Sequence, residues 1–197
     1  ALYLAEDEAD ANEYIGEVVD GTEPTSTDKT VVKSKSMTSE EIEVNEALEA
    51  DGHDVVETDL GEWVLQVADE APSHIVAPAI HKSRESIATL FNEVFGPTEP
   101  LESAAELTSF ARKKLGERLQ EADVSMTGAN FITADTGTIA LVTSEGNARK
   151  TIASSDTHVA VAGVEKVVPT VADLQPFVEL IGRSGTGQDI TSYVSLY

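Results

Sequence analysis

Short apolar runs alternate with amphipathic stretches along the first 122 residues of the chain. The runs at 30–32, 55–56 and 74–77 predict three short buried strands. The stretches around them predict helices at about 7–19, 38–50, 61–68, 84–95 and 104–122. The clearest helical stripe consists of Ile87, Leu90, Phe91, Val94 and Phe95. This alternation of strands and helices predicts a parallel sheet with crossover helices.

The second half of the chain is richer in strand-like runs, which lie at 125–126, 130–134, 138–143 and 159–162. They predict an antiparallel portion added to the parallel sheet, so the expected fold class is α/β. A last helix is predicted from a cap at Thr170 to about Ile181. Pro176 would lie inside that helix, where its missing N–H would distort the backbone.

Local signals at the helix ends are strong at several positions. Thr38 starts a capping-box pattern and Ser103 starts another, each with a glutamate three residues later. Ser83 precedes a third helix, and Gly52 and Gly96 are placed to end helices. Residues 1–29 are expected to form a helix and a linker that belong to the same domain as residues 30–197.

The composition of the 197 residues is that of a globular domain, with 41% apolar residues. No run of 18 apolar residues occurs, so we expect no membrane span. The acidic first ten residues lack the basic region of a signal peptide. The chain begins without Met, and we expect it to be a piece of a longer protein.

The charge of the chain limits its partners. Asp and Glu number 36 against 13 Lys and Arg, giving a net charge of −23, which would repel nucleic acids and anionic lipids. Molar salt would screen the self-repulsion, so we favour a halophilic protein from a salt-accumulating cytoplasm of the haloarchaeal kind. The alternative is an acidic mesophilic protein. The absence of cysteine excludes disulfides, thiol catalysis and cysteine-ligated clusters within this chain.

The segment 130–149, NFITADTGTIALVTSEGNAR, concentrates polar groups around a short apolar strand. Its first turn, formed by Thr136, Gly137 and Thr138, is expected to expose N–H groups and hydroxyls that suit an anionic ligand. Its second turn would place the opposite charges of Glu145 and Arg149 beside Gly146 and Asn147. An ordinary hairpin needs turn residues but has no need for this set of polar groups.

Three further groups of residues are candidates for chemistry. Lys33, Ser34, Lys35 and Ser36 could form an anion site between a strand and a helix, or a capped loop with exposed lysines. The carboxylates of Glu57, Asp59 and Glu62 could provide a general base or a hard-metal site, or belong to a capped turn. His81 is the histidine that we expect to face a ligand. No spacing typical of a transition-metal site occurs, and we predict no metal.

These motifs, in this order, resemble the lactate utilisation (LUD) domain, and especially its LutB branch. The resemblance extends from about residue 30 to the end of the chain. Besides 130–149 it rests on VVKSKSMTSEEI at 31–42, ETDLGEW at 57–63, PSHIVAPAIHK at 72–82, SFARKKL at 109–115, GVEKVVPT at 163–170 and RSGTGQ at 183–188. It implies a three-layer α/β/α fold similar to that of the ribose-5-phosphate isomerase, glucosamine-phosphate isomerase and CoA-transferase superfamily.

The resemblance also implies a function. The domain would take part in oxidising L-lactate to pyruvate in the cytoplasm, within an assembly that includes LutA-like and LutC-like subunits. Iron–sulfur clusters are implied in a C-terminal region that this chain lacks, and no cofactor is expected within it. The ligand would be a small carboxylate. The residues expected to contact it are Lys33, Ser34, Ser36, His81, Thr136, Gly137, Thr138, Asn147 and Arg149.

The catalytic residue is left open. The candidates are Glu57, Asp59, Asp135 and Glu145. Asp135 departs from the family pattern, which usually has glutamate before Thr-Gly-Thr, and the shorter side chain reaches about 1.5 Å less far. We expect the loops that carry Lys33, Asp59, His81, Thr136 and Arg149 to converge on one crevice.

Two other functions remain open, and so does a homodimer. One is a non-catalytic docking domain that positions the cluster-bearing region against partner subunits, with the basic stretch 112–118 as a contact. The other is a transferase or isomerase that acts on a CoA ester or a sugar phosphate. Only analogy of fold supports that reading.

Overall fold

The structure is a computed structural model that describes residues 1–23, 28–71, 73, 79–143, 146–187 and 193–197. The predicted strand at 74–77 and the candidate residue Glu145 lie outside these ranges. The described helices are α1 Glu8–Asp20, α2 Met37–Glu41, α3 Val44–Ala50, α4 Leu60–Ala68, α5 Arg84–Phe95, α6 Ala104–Gln120, α7 Asn147–Ile152 and α8 Gln175–Thr186. The described strands are β1 Thr30–Lys33, β2 Asp54–Glu57, β3 Val124–Gly128, β4 Phe131–Thr133, β5 Ile139–Thr143, β6 Thr157–Val161, β7 Val167–Val168 and β8 Tyr193–Leu196.

Four parallel strands form the main sheet in the order β2–β1–β3–β6. The chain passes from β1 through α2 and α3 to β2, on one side of β1. It then passes through α4, α5 and α6 to β3, on the other side of β1. The direction of winding therefore reverses between β1 and β3. Open α/β sheets bind ligands at the carboxyl ends of the strands that flank such a reversal.

Helices cover both faces of the main sheet. Because successive strand residues point to opposite faces, each strand contributes side chains to two cores. Val31 and Val55 pack with α1 and α3 in one core, and Val32 and Val56 pack with α4, α5 and α6 in another. In α1 the buried residues are Ile15, Gly16 and Val19. The predicted three-layer α/β/α arrangement with a mostly parallel sheet is confirmed.

A second sheet has the order β7–β4–β5–β8, with β5 antiparallel to both β4 and β8. Its core combines Ala140, Val168 and Leu174 with Phe131, whose ring lies 4.7 Å from that of Phe177. The predicted antiparallel portion is therefore confirmed. We did not predict β7, which has two residues, or β8, which ends the chain.

The predicted helix over 38–50 is wrong in its start and its continuity. Ser36, rather than Thr38, caps α2, because its hydroxyl accepts a hydrogen bond from the N–H of Ser39. Glu43 then separates α2 from α3 with a φ of 52°. A side chain in this left-handed region costs about 1–2 kcal/mol and cannot continue a right-handed helix.

The last helix also begins later than predicted. The capping box at Thr170 closes a single 3-10 turn, Val171–Leu174, and α8 starts at Gln175. Pro176 therefore lies in the first turn of α8, where a backbone N–H has no partner within the helix. The expected distortion at this proline does not arise.

Other helix ends follow the sequence signals. Ser83 caps α5, Ser103 and Glu106 form a complete capping box on α6, and Gly96 ends α5 in a left-handed conformation.

Within the described ranges, no helix combines the length and the apolar character needed to cross a bilayer.

Candidate functional site

A polar cleft of about 500 Å³ opens at the carboxyl ends of β1 and β3. The uncharged polar side chains on its surface are Ser34, Ser36, Thr38, Asn130, Thr143 and Asn147. The charged ones are Lys35, Glu41, Asp59, Glu165 and Lys166. The cleft coincides with the reversal of winding in the main sheet, so we regard it as the candidate site.

The floor of the cleft depends on a glycine. A Cβ atom added at Gly128 would lie 2.7 Å from the Oγ and 3.0 Å from the Cβ of Ser36. Only glycine lets the end of β3 approach the cap of α2 so closely. This contact joins two segments that are distant in sequence, and both residues line the cleft.

Asp59 forms hydrogen bonds that link three elements around the cleft. Its Oδ2 accepts a hydrogen bond of 2.7 Å from the N–H of Lys35, and its Oδ1 accepts one from the side-chain amide of Asn147. The carboxylate thus connects the ends of β1 and β2 with the start of α7. Thr58 and Thr151 add a hydroxyl contact of 2.9 Å between the same end of β2 and α7. The predicted catalytic role of Asp59 stays a prediction.

A buried ion pair lies beside the cleft, between β1 and β2. The Nζ of Lys33 is 2.7 Å from the Oε1 of Glu57, and the two side chains are 1% and 9% exposed. Asn45 donates a second hydrogen bond of 2.9 Å to the same oxygen, and the lysine also contacts the Oγ of Ser39 at 3.2 Å. Lys33 and Glu57, predicted respectively as ligand-binding and catalytic, are therefore engaged with each other.

The second lysine of the predicted anion site is also paired. The Nζ of Lys35 donates a hydrogen bond to the Oε1 of Glu62, in a contact that is mostly shielded from solvent. Burial raises the pKa of Glu62, and the hydrogen bond from Lys35 opposes that shift. Each ammonium group of this predicted anion site is therefore paired with a carboxylate from β2 or α4, and the binding role of the loop stays a prediction.

In the turn that follows β4, polar groups form hydrogen bonds with one another. The N–H of Gly137 donates to the carbonyl of Thr133 at 2.8 Å, and that of Thr138 donates to the Oγ1 of Thr133 at 3.2 Å. The hydroxyl of Thr136 contacts those of Thr133 and Thr138. The prediction of exposed N–H groups is therefore wrong at Gly137 and Thr138. Asp135 is exposed in the same turn.

Two more predicted ligand contacts lie outside the cleft lining. His81 contacts the Oγ of Ser73 at 2.7 Å and the Oε2 of Glu70 at 3.0 Å. Arg149 belongs to α7, not to a flexible turn, and its guanidinium lies 4.6 Å from the centre of the Tyr193 ring. We missed α7 because six residues are too few to show helical periodicity.

The described lining of the cleft thus includes only part of the predicted set. Ser34, Ser36, Asp59 and Asn147 line it. Of the five residues whose loops were expected to converge, only Asp59 itself lines the cleft; residues next to Lys33 and Arg149 also line it, and no residue next to His81 or Thr136 does. The binding roles of the remaining residues stay predictions.

Lys166 is one of the cleft residues that we did not predict as part of the site. Its side chain is 42% exposed, and its Nζ is 3.7 Å from the nearest oxygen of Glu165, too far for a hydrogen bond. It is the last residue of a 3-10 turn, Val164–Lys166, which precedes β7 and is too short to give a periodic signal. The motif GVEKVVPT at 163–170 contains it, so this motif was the available clue.

His158 belongs to a separate polar cluster between β6 and β3. Its Nδ1 lies 2.8 Å from the Oγ of Ser125, and its Nε2 lies 3.0 Å from the Oγ1 of Thr127. Burial lowers the pKa of the imidazole. Across the described ranges, no group of three or more His, Cys, Asp or Glu residues is arranged to hold a metal ion.

Comparisons with known proteins identify relatives along the whole chain. The family profile of the LUD domain matches residues 1–197. Lactate utilization protein B of Shouchella clausii is 49% identical over 98% of this chain and 40% of its own length. Proteins of that name from Bacillus pumilus and Oceanobacillus iheyensis are 48% and 45% identical, over 99% and 100% of this chain. The chain spans 40% of the length of each of these curated relatives. No solved structure matches it significantly.

Proposed function

The chain belongs to the LUD domain family, and we propose that it is the LUD domain of a LutB-like protein that takes part in oxidising L-lactate to pyruvate. The names of its relatives support a role in lactate utilisation. The observation that carries a ligand-binding role is the polar cleft at the winding reversal of the main sheet.

The chemistry of the cleft fits a small hydroxy acid or keto acid. Lys166 offers an ammonium group that lies 3.7 Å from the nearest oxygen of Glu165, beyond hydrogen-bond distance, and it would meet the carboxylate of the ligand. Ser34 and Ser36 line the cleft just after the end of β1, and their hydroxyls can accept from the lactate hydroxyl or donate to the pyruvate carbonyl. Asp59 would act indirectly, by holding Lys35 and Asn147 in place.

The remainder of the proposed function concerns the longer protein. Because the relatives extend well beyond the matched region, we place iron–sulfur clusters outside this chain and expect LutA-like and LutC-like subunits as partners in the cytoplasm. Iron and acid-labile sulfide should be found in the complete protein after anaerobic purification. Their absence from a complete, folded protein would refute the iron–sulfur part of the proposal.

The binding proposal can be tested on this chain. L-lactate and pyruvate should bind in a calorimetric titration, and Lys166→Gln should weaken binding about tenfold, or about 1.4 kcal/mol. Lys150→Gln is the matched control, since Lys150 is an exposed lysine on α7 that does not line the cleft. Equal affinity of the Lys166→Gln and Lys150→Gln variants would rule out the assignment of Lys166.

Docking is a second candidate function, and one observation favours it. Strand β8 lies at the edge of the second sheet with large apolar side chains exposed, including Val194 at 42% and Leu196 at 48%. Edge strands of this kind usually carry protective charges. Leu196→Lys should then reduce capture of the LutA-like or LutC-like subunit and leave lactate binding unchanged. Unchanged capture, or loss of a homodimer alone, would contradict docking of those subunits.

A further inference from the structure

A second cavity, of about 580 Å³, lies beside the polar cleft and differs from it in chemistry. It is formed between α4, α5 and the first turns of α6. Lys35 and Asp59 belong to the linings of both cavities, so the two spaces meet at the end of β1. The proposed binding of lactate does not use this second cavity.

The walls of the second cavity are mainly apolar. Val64, Phe91 and Leu107 are 3%, 1% and 6% exposed and form part of its lining. At its edge, Leu60 is 40% exposed and Ile80 is 68% exposed. Pockets of several hundred cubic ångströms with apolar walls and a few polar groups are typical of sites for small organic molecules.

Of the four charged residues that line the cavity, three take part in ion pairs, and the fourth, Asp59, accepts hydrogen bonds from the N–H of Lys35 and from Asn147. Lys35 is paired with Glu62, and Arg84 is paired with Glu85 at 2.6 Å. An anionic ligand would have to compete with these carboxylates in a chain of net charge −23. A neutral ligand avoids that repulsion and still finds a polar contact, because the Lys35 ammonium has three N–H donors and Glu62 accepts one of them.

We propose that this cavity binds a neutral, mainly apolar small molecule whose carbonyl oxygen accepts a hydrogen bond from Lys35. The apolar body of the ligand lies against Val64, Phe91 and Leu107, and its carbonyl points towards the wall shared with the polar cleft. The apolar walls and the hydrogen bond from Lys35 therefore both favour a neutral, mainly apolar ligand that carries a carbonyl group.

The probe for the test is prodan, a neutral naphthyl ketone whose fluorescence shifts to shorter wavelength in apolar surroundings. Prodan should bind this chain with such a shift. Ala104→Trp should weaken binding by about tenfold or more, because Ala104 lines the cavity and a large ring there fills it. Ala105→Trp is the matched control, since Ala105 is the next residue of α6, is exposed and does not line the cavity.

A second pair of variants tests whether the loss of prodan binding comes from filling the cavity or from a local change at the start of α6. Thr108→Trp should also weaken prodan binding, and Ser109→Trp should not, because only Thr108 lines the cavity. Anilinonaphthalene sulfonate, an anionic dye of similar size, should bind more weakly than prodan. L-lactate should not displace prodan, so the outcome is independent of the lactate proposal.

The proposal is overturned if prodan shows no shifted fluorescence, or if the two lining variants bind it as well as their controls do. Tighter binding of the anionic dye than of prodan would overturn the choice of a neutral ligand. Displacement of prodan by L-lactate would show that the dye occupies the polar cleft instead.

Discussion

The buried pair of Lys33 and Glu57 gives the sharpest test of the electrostatics of this fold. Lys33→Met removes the ammonium from a position where the two side chains are only 1% and 9% exposed. Glu57 would then keep a single neutral donor, Asn45, on one oxygen, and its other oxygen already lacks a hydrogen-bond partner. Leaving one charge of a buried pair without its partner destabilises a protein by about 3–5 kcal/mol.

The double variant Lys33→Met/Glu57→Gln should recover most of that loss. The glutamine is neutral and can still accept the hydrogen bond from Asn45, so no buried charge remains. The free energies of unfolding of the wild type, the two single variants and the double variant form a thermodynamic cycle in urea. We expect a coupling free energy of about 2 kcal/mol or more, with the double variant close to the wild type.

The matched control for this cycle is the exposed pair of Lys114 and Glu117. Their side chains are 38% and 43% exposed, and the charged atoms are 3.1 Å apart. Lys114→Met and Glu117→Gln should give a coupling free energy below about 1 kcal/mol. Equal coupling free energies for the two pairs, or a Lys33→Met variant as stable as the wild type, would refute the argument that burial determines the cost.

Three other predictions concern the floor of the cleft, a partly buried histidine and the net charge. Gly128→Ala should destabilise the fold by about 1–3 kcal/mol in urea unfolding, because the new methyl group would overlap Ser36. Burial lowers the pKa of His158, so the unfolded chain binds its proton more readily, and stability should fall as pH drops below about 6.5. The His158→Gln variant should lack this part of the pH dependence. The melting temperature should rise between 0.1 M and molar KCl, because salt screens a net charge of −23.

Each of these predictions has a result that would contradict it. Gly116→Ala is the control for the glycine, because a Cβ there meets no atom within 4 Å, and it should stabilise α6 by about 1 kcal/mol. Similar effects at both glycines would show that the contact with Ser36 is unimportant. Identical slopes of stability against pH for the wild type and His158→Gln would exclude the titration of His158. A melting temperature independent of KCl would remove the halophilic interpretation.

Much of the fold follows from signals that act over a few residues. The caps at Ser83 and Ser103 and the glycine at Gly96 were predictable because each requires only its own neighbours in sequence. The choice of Ser36 over Thr38 was not predictable in that way. Both carry a hydroxyl near the start of a helix, and the packing of Ser36 against Gly128 involves a strand far along the chain.

Which carboxylate each lysine near the cleft contacts depends on how the strands and helices are arranged around it. Lys33 lies opposite Glu57 because β1 and β2 pair in parallel with those residues in line. Lys35 meets Glu62 because α4 starts at the end of β2, beside the end of β1. The sequence shows two cations in a loop, but the carboxylates that engage them come from the next strand and the next helix. An anion site inferred from cations alone is therefore unreliable when the partner acids are abundant.

The same abundance explains why the acids of this chain identify its site poorly. With 36 acidic residues, a carboxylate near any given strand end is expected, and both described acids at the end of β2 are engaged: Glu57 in an ion pair and Asp59 in hydrogen bonds to neighbouring elements. Only 13 residues are basic, so a lysine or arginine side chain that lies near a carboxylate readily forms an ion pair with it. A lysine such as Lys166, which lines the cleft at 3.7 Å from its nearest carboxylate oxygen, is therefore the more informative residue. For this reason the lactate proposal is tested at a cation, since a change at Glu57 or Asp59 would mainly report on the integrity of the fold.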